Sequence, residues 1–482
     1  MSNLSELLPT GGGQNAVDFV ASGTLSSGQT VALKADGTVE AVGETTVPSS
    51  VGTATTFDTG YARFISATYD SGNNKVVVAY NDDGNSNYGT AVVGTVSGTS
   101  ISFGTPVVFV TAYAANVSIV YASVSGKVVV SYIDVGNSSY GTARVGTVSG
   151  TSISFGTAAV YHSVTVGEQT STYSSYADKV IVFYQNGSNS YKGYASSGVV
   201  SGTSITFASN TLIENGGAVD FLSVIAVPNT STVVFSYRYQ FASFGYSWNW
   251  NISGTGFNSN GYAQFGGTPS YISTVWDSSA SKMILAYRKG GLSNYGVSYV
   301  ADVTATNVTF GSEVVFNSGT TAYISTVFDQ NINKPIILYQ DNSNSRYGTL
   351  RVGTVSGTSI SFDSEFVFYN SETLFNSAVY STADQKIVIA YADDVLFGKG
   401  VVFTPSYVQT NSADFIGITA EAISDTATGA VNVYGGINEA QTGLTIGADY
   451  YVQDDGSLST TASSVKVGQA ISATTINMMD LT

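Results

Sequence analysis

The sequence predicts an all-β protein: a seven-bladed β-propeller of four-stranded repeats, with a small β domain formed by the two termini. Three observations predict this fold: a tyrosine that returns about every 52 residues, a segment copied letter for letter, and a last repeat without its fourth strand. The recurring tyrosines, by which we number the repeats one to seven, are Tyr80, Tyr132, Tyr184, Tyr237, Tyr287, Tyr339 and Tyr391. The copied segment runs from Gly94 to Thr105 and returns from Gly146 to Thr157.

Each repeat is predicted to hold four short strands. In repeat one these are Ala62 to Tyr69, Lys75 to Tyr80, Thr90 to Val96 and Ser100 to Phe109. The second strand is apolar at consecutive positions, as expected when both of its faces are covered. Gly, Asn, Asp and Ser fill the segments between the strands, where turns need positive φ or local side-chain hydrogen bonds.

The two ends of the repeat array favour a closed ring over the alternative, a straight β-solenoid. Repeat seven runs through Lys386 to Tyr391 and Gly400 to Phe403 and then lacks a fourth strand. A matching strand, Val51 to Phe57, precedes repeat one. We expect this strand to pair with repeat seven near Val401 to Phe403, because a ring leaves no exposed sheet edge at its ends.

A closed ring returns the chain to its starting point, so the termini are expected to meet. Residues 1–45 and 406–482 are predicted to form one attachment module, with residues 46–405 as the propeller. The segments from Gly28 to Asp36-Gly37 and from Gly447 to Asp455-Gly456 have the same spacing, and both predict a strand, an Asp-Gly turn and a strand.

Composition excludes several classes of function. A formal net charge of -16 and a pI near 4.3 repel phosphate backbones, so nucleic-acid binding is not expected. No stretch reaches the roughly 18 to 20 apolar residues of a membrane span, and no basic segment followed by an apolar run marks a signal peptide. The chain has no cysteine and therefore no disulfide framework.

The sequence predicts a protein that is not an enzyme and has no metal or cofactor. One histidine, His162, is too few for a multi-histidine metal centre, and a loop position is predicted for it. A glycosidase needs two carboxylates, so a polysaccharide-cleaving depolymerase is the alternative function. The adjacent acid pairs Asp82-Asp83, Asp393-Asp394 and Asp454-Asp455 all fall in predicted turns, which disfavours that alternative.

Polar loops between second and third strands are the first candidate ligand-binding surface. In a propeller these loops share one face, where their oxygens would form a ring able to bind a sugar. Turn formation by itself also explains the residue types. The candidate loop residues are Asp82, Asp83, Asn85, Asp134, Asn137, Asp341 and Asn342.

Aromatic residues of repeat four are the second candidate surface. Tyr246, Trp248 and Trp250 alternate along a predicted strand and therefore share one of its faces. Aromatic rings stack on sugar rings, and they also fill space between blades. We predict Trp248 and Trp250 as ligand contacts if that face is uncovered, with packing between blades as the alternative.

The terminal segments resemble modules of tailed-phage virion proteins, particularly fibre-like appendage proteins of marine phages. The segments that carry this resemblance are Asn15 to Gly37, Ile416 to Asp425 and Gly443 to Gly456. The repeated Tyr-Gly-Thr-Ala and Gly-Thr-Val-Ser-Gly-Thr-Ser-Ile-Ser-Phe strings are similar to repeats in large virion proteins of such phages.

The resemblance implies a virion structural protein, a tail, fibre-like or capsid decoration component on the particle surface. It implies other virion proteins as partners through the terminal module, a host-surface glycan as a further partner, and homo-oligomerisation. A free bacterial surface lectin is another alternative, which the missing export signal disfavours.

Overall fold

The computed structural model describes residues 15–240 and 242–479, so residues 1–14 and 480–482 of the predicted attachment module lie outside it. The described chain divides into two compact units. We call residues 15–48 with 406–479 the terminal unit and Ser49–Pro405 the repeat unit. Regular structure is almost entirely antiparallel β, and four one-turn 3-10 helices, Asp83–Asn85, Val135–Asn137, Gly187–Asn189 and Ser412–Asp414, are described.

The strands are numbered in chain order. The N-terminal strands are β1 Ala16–Val20, β2 Thr30–Leu33, β3 Val39–Ala41 and β4 Glu44–Val47. Those before and within repeats one to three are β5 Ser50–Val51, β6 Thr55–Asp58, β7 Ala62–Asp70, β8 Lys75–Asp82, β9 Tyr88–Ser97, β10 Ser100–Phe103, β11 Val107–Ala122, β12 Lys127–Asp134, β13 Tyr140–Ser149, β14 Ser152–Phe155, β15 Ala159–Ser174, β16 Lys179–Asn186, β17 Lys192–Ser201, β18 Ser204–Phe207 and β19 Thr211–Glu214.

The remaining strands follow in the same order. Repeats four to seven hold β20 Val219–Ala226, β21 Thr232–Tyr239, β22 Phe244–Ser253, β23 Gly256–Gly266, β24 Pro269–Asp277, β25 Lys282–Lys289, β26 Tyr295–Val303, β27 Val308–Phe310, β28 Val314–Asn317, β29 Thr321–Asp329, β30 Lys334–Asp341, β31 Tyr347–Ser356, β32 Ser359–Phe362, β33 Phe366–Glu372, β34 Leu374–Ser381, β35 Lys386–Ala392 and β36 Gly398–Thr404. The C-terminal strands are β37 Tyr407–Thr410, β38 Phe415–Thr419, β39 Thr428–Val433, β40 Ile437–Asn438, β41 Asp449–Val452, β42 Leu458–Ser459, β43 Lys466–Ala470 and β44 Ile476–Asn477.

Each repeat forms an antiparallel sheet whose outer edge is made in two pieces in most repeats. In repeat one, β7 pairs with β8, β8 with β9, and β9 with both β10 and the start of β11. The rest of β11 pairs with β12 and is therefore the first strand of repeat two. The single fourth strand predicted from the sequence is thus divided into two pieces, and in repeat one the second piece continues into repeat two.

The second strand of each repeat is buried on both faces, as the consecutive apolar residues predict. In β8, Val76, Val77, Val78, Ala79 and Tyr80 are each 0% exposed. All the recurring tyrosines are among the largest fully buried side chains. Their period therefore marks the core of the repeat unit.

Each recurring tyrosine except Tyr237 packs against an aromatic ring on the outer strand of the preceding repeat. Phe109 of β11 lies with its ring centroid 5.1 Å from that of Tyr132. A Cβ atom on Gly89 would lie 2.4 Å from the Phe109 ring, so the Tyr-Gly pair that opens the third strand leaves room for this ring. The equivalent ring pairs are Phe57–Tyr80, Tyr161–Tyr184, Phe265–Tyr287, Phe316–Tyr339 and Phe368–Tyr391.

A close backbone approach explains the copied segment. A Cβ atom on Gly104 would lie 1.9 Å from the carbonyl oxygen of Thr151, which belongs to the tight turn of the next repeat. Gly156 approaches Thr203 in the same way. The glycine of one copy of the segment therefore contacts the turn of the next copy, where neighbouring repeats meet.

The strand before repeat one completes repeat seven, which confirms the predicted pairing. Val51 of β5 is the partner of Phe403, and β6 pairs with the start of β36. This segment also repeats both contacts between neighbours, because Phe57 packs on Tyr80 with centroids 5.1 Å apart and a Cβ on Gly52 would lie 1.7 Å from the Thr99 carbonyl oxygen.

First strands contact one another in the order β7, β11, β15, β20, β24, β29, β34 and again β7. Serine hydroxyls connect several of these neighbours. Ser66 Oγ accepts a hydrogen bond from the Ile119 amide at 3.2 Å, and Ser377 Oγ accepts one from the Ala67 amide at 3.0 Å. The last bond joins residues of repeats seven and one.

Both termini contribute to the terminal unit. One sheet has the strand order β1-β39-β38-β2-β3, a second has the order β40-β44-β43-β41-β42, and β4 pairs with β37. The two predicted Asp-Gly turns are present: Asp36 Oδ1 accepts from the Thr38 amide at 3.0 Å, and Asp455 Oδ1 accepts from the Ser457 amide at 2.9 Å.

Glu168, at a bulge in β15, makes a pH-dependent contribution to stability. Its carboxylate accepts hydrogen bonds from the amides of Phe221 at 2.9 Å and Leu222 at 3.0 Å. Burial raises its pKa from 4.5 to about 7, against the effect of these bonds. A raised pKa in the folded state means that protonation favours folding, so this contribution is complete below pH 4.5 and is lost as the pH rises through 7.

We therefore expect Glu168→Gln to gain stability relative to the parent by about 3 kcal/mol between pH 4.5 and pH 8. Urea unfolding of both proteins across this range measures the difference. A constant difference at every pH would contradict the raised pKa.

Candidate ligand-binding site

The predicted loop acids mostly serve their own turns. Asp82 Oδ1 accepts from the Asn85 amide at 3.0 Å, and Asp134 Oδ1 accepts from the Asn137 amide at 3.2 Å. Each aspartate is the N-cap of a one-turn 3-10 helix. Burial and the nearby Asp58 carboxylate raise the pKa of Asp82.

The other predicted loop residues lie in similar settings. Asp341 is 5% exposed and accepts from the Ser343 amide at 3.0 Å, while Asp83 forms an ion pair with Arg63 at 2.8 Å. Asn85 and Asn342 are exposed. The loop aspartates therefore bond locally in three separate repeats, and the capping hydrogen bonds use oxygens that a ligand would need.

The two predicted tryptophans have different environments. Trp250 is 7% exposed and packs among buried residues of repeats three and four, including Phe183 and Phe235. Trp248 is half-buried, and its indole Nε1 donates to the Asn260 carbonyl at 3.1 Å. Trp250 therefore belongs to the packing between repeats, whereas Trp248 remains accessible from one side.

Trp248 lines a pocket of about 150 Å³ together with Glu214, Tyr239, Tyr246 and Tyr262. Glu214 is the last residue of β19, the outer strand of repeat three. Repeat four supplies the four rings, from β21, β22 and β23. The pocket is thus built where two neighbouring repeats meet.

The rings in this pocket meet edge to face. The Tyr262 ring centroid lies 5.1 Å from that of Tyr246 and 5.4 Å from that of Trp248. The Tyr239 and Tyr246 centroids are 5.6 Å apart. Tyr262 is 55% exposed and the other three rings are half-buried, so this cluster of rings is open to solvent at Tyr262.

Glu214 gives the pocket a fixed carboxylate. The residue is 3% exposed, and its oxygens accept hydrogen bonds from the Tyr237 hydroxyl and the Gly216 amide. Burial, followed by the charge of Glu214, raises the pKa of Tyr237. Burial and the neighbouring Glu214 carboxylate likewise raise the pKa of Tyr239, whereas the hydroxyl that donates to Glu214 is that of Tyr237.

Sequence reasoning found Trp248 and Tyr246 but missed Glu214, Tyr239 and Tyr262. The signal that points to them is the irregularity of repeat four, which lacks the lysine found five residues before the tyrosine in the other repeats. Glu214 belongs to the preceding repeat, and its place beside the rings depends on how the repeats pack.

Other candidate chemistry is sparse in the described residues. Among residues 15–240 and 242–479 there is no group of three or more His, Asp or Glu residues placed to hold a metal ion. The predicted loop position of His162 is wrong: it lies within β15, because its backbone pairs with Gly141. Across the same described ranges, no helix is long and apolar enough to cross a membrane.

Comparisons with known proteins concern the fold. No protein-family model matches the chain, and no curated protein matches its sequence. The structure is similar to the BP39L lectin from Burkholderia pseudomallei, with a TM-score of 0.53 and 10% identity over 73% of this chain and 98% of the lectin. The periplasmic gluconolactonase PpgL from Pseudomonas aeruginosa has a TM-score of 0.46 and 12% identity over 74% of this chain and 97% of the enzyme. The chain is therefore an all-β protein with a β-propeller-like fold.

Proposed function

We propose that the repeat unit is a closed, seven-bladed β-propeller that binds a glycan in the pocket between repeats three and four. The cyclic order of first-strand contacts and the pairing of β5 and β6 with β36 support the closed ring. In this arrangement each numbered repeat is one blade. Closure gives repeat seven the outer strand that its own segment of the chain lacks.

The aromatic pocket is the observation that carries glycan binding. Sugar rings present an apolar face that stacks on aromatic side chains and hydroxyls that hydrogen-bond to polar groups. Trp248 and Tyr262 offer ring surface, and the hydroxyls of Tyr246 and Tyr262 are bound to no other residue by a hydrogen bond in the described chain. Glycan binding is also a use of this fold in the Burkholderia pseudomallei lectin.

We further propose that the protein is a virion structural component, with the terminal unit as the part that joins other virion proteins. The sequence resemblance of both terminal segments to phage appendage modules supports this role. The terminal unit has its own buried clusters, one of which includes Val31, Val39 and Val431. It therefore has the core that a separate attachment module requires. Homo-oligomerisation through this unit belongs to the same proposal.

Binding without cleavage is the proposed activity. Hydrolysis of a glycosidic bond requires two carboxyl groups about 5 to 9.5 Å apart. Among the described residues that line the pocket, Glu214 is the one carboxylate, and its oxygens already accept hydrogen bonds from Tyr237 and Gly216. The depolymerase is the second candidate function, and release of reducing ends from a retained polysaccharide would favour it.

A glycan array and host-surface polysaccharide test the pocket. We expect the intact protein to retain one or more glycans and Tyr262→Ala to lose about ten-fold or more in affinity, because an exposed ring stacks on the sugar. Tyr176→Ala is the matched control, since Tyr176 is 64% exposed in a turn of repeat three and does not line the pocket. Equal losses in both variants would contradict the assignment.

A triple variant tests the loop surface as the second candidate site. Replacing Asp82, Asp83 and Asn85 with Ala removes the N-cap of a 3-10 helix and one ion pair. We expect the free energy of unfolding to fall by about 1 kcal/mol while glycan retention stays unchanged. Lost retention in a folded variant would move the site to the loops.

A further inference from the structure

We propose that the ligand of this pocket carries an organic ammonium group, as an amino sugar or a choline-substituted glycan does. The inference rests on the proposed glycan-binding function and names the chemical class that the pocket selects. Three features carry it: a buried carboxylate without a cation among the described residues, aromatic side chains that line the pocket, and a contrasting arrangement in repeat five.

The carboxylate of Glu214 has no positive partner in the described residues. The hydrogen-bond donors to this carboxylate are the Tyr237 hydroxyl and the Gly216 amide, both of them neutral. Lys192 is nearby in the sheet but donates to Asn215 Oδ1 at 2.7 Å, and no ion pair joins it to Glu214 within residues 15–240 and 242–479. A buried carboxylate is stabilised when a cation pairs with it, so the pocket favours a positively charged ligand.

Repeat five contains a comparable carboxylate that does have a cation. Glu313 accepts hydrogen bonds from the hydroxyls of Tyr287 and Tyr299, each at 3.0 Å, and forms an ion pair with Lys289 at 2.6 Å. Lys289 stands two residues after the recurring tyrosine, and Tyr239 holds the corresponding position in repeat four. Repeat five therefore provides the ammonium group of Lys289 at this position. Repeat four has the neutral ring of Tyr239 there, beside an open pocket.

The surrounding rings suit a cation as well as a sugar. An ammonium group within about 6 Å of a ring centroid is attracted to the negative face of the ring, most strongly by Trp. Trp248, Tyr246, Tyr239 and Tyr262 line the space, and Tyr262 is 55% exposed, so an ammonium group that enters the pocket meets aromatic side chains. A volume of about 150 Å³ accommodates a small head group with its methyl groups or one sugar ring.

The same lining disfavours acidic sugars. The described lining residues include no Lys or Arg, and the chain has a formal net charge of -16. A uronic or sialic acid would place its carboxylate against Glu214 without a compensating cation, which like-charge repulsion opposes.

Calorimetric titration of the intact protein tests the inference with matched probes. We expect choline or glucosamine to bind about ten-fold or more tightly than its neutral counterpart, 3,3-dimethylbutanol for choline and N-acetylglucosamine for glucosamine. The cation that binds more tightly shows whether the ammonium group of the ligand belongs to a choline substituent or to an amino sugar. Glu214→Gln should remove the preference, and Tyr176→Ala should keep it.

Tyr262→Ala is a second variant, needed because Glu214→Gln could disturb folding. Tyr262 is exposed, so its replacement removes ring surface without disturbing the buried hydrogen bonds. We expect Tyr262→Ala to weaken binding of the cation and to keep the parent melting temperature. Equal binding of cationic and neutral probes would overturn the inference while leaving the proposed glycan function intact. Absence of binding by every cationic probe and every glycan would overturn both.

Discussion

Replacing residues 50–57 with a glycine-serine linker of equal length is expected to lower the melting temperature of the repeat unit by about 10 °C or more. The change removes the pairing of β5 and β6 with β36, and it takes the Phe57 ring away from Tyr80 and Gly398. It also exposes an unpaired strand edge, so we expect aggregation on heating. Calorimetry and light scattering of parent and variant measure both effects.

This replacement leaves β4 intact, since β4 ends at Val47. Two glycine substitutions provide a point test of the same junction and its control. Gly52→Val would bring a side chain against the Thr99 carbonyl oxygen, whereas a Cβ on Gly266 has no atom within 4 Å. We expect Gly52→Val to destabilise the repeat unit strongly and Gly266→Ala to change its melting temperature little. Equal melting of the linker variant and the parent would refute ring closure.

Removal of the terminal unit is expected to abolish incorporation of the protein into particles while preserving the fold and glycan binding of residues 49–405. The two units have separate buried clusters, so the repeat unit should keep its melting transition when expressed alone. Imaging of labelled virions that carry the full chain or the shortened chain measures the copy number. Tyr262→Ala in the full chain is the control, because it should lose glycan binding and keep incorporation.

Incorporation of residues 49–405 at the parent copy number would remove the terminal unit as the attachment part. Loss of the melting transition in that fragment would show instead that the repeat unit depends on the terminal unit for folding. The two outcomes are separated by measuring melting before any particle experiment.

The repeat architecture was predictable because its physical causes lie within one period of the sequence. A fully buried second strand requires consecutive apolar residues, so Val76 to Tyr80 and its copies are visible as a pattern. The pairing of Val51 with Phe403 was predictable because the repeated pattern itself shows which strand is missing and where a matching one lies.

The candidate site was predictable only in part. Trp248 was found by alternation along one strand, but the same alternation selected Trp250, which the packing of repeats three and four buries. Glu214 is separated from Tyr262 by 48 residues, by subtraction of their numbers, and belongs to a different repeat. Its role depends on contacts between repeats that no local pattern encodes. Asp82 and Asp134 match a binding loop in composition, yet their oxygens cap turns.

The most direct test of the central claim, that this propeller-like protein binds a glycan between repeats three and four, is an experimental structure of the intact protein with a glycan selected from the array. We predict sugar density against Trp248 and Tyr262, with a polar or ammonium group directed toward Glu214. Density over the loops of Asp82, Asp134 or Asp341 instead, with the aromatic pocket empty at saturating glycan, would contradict the claim.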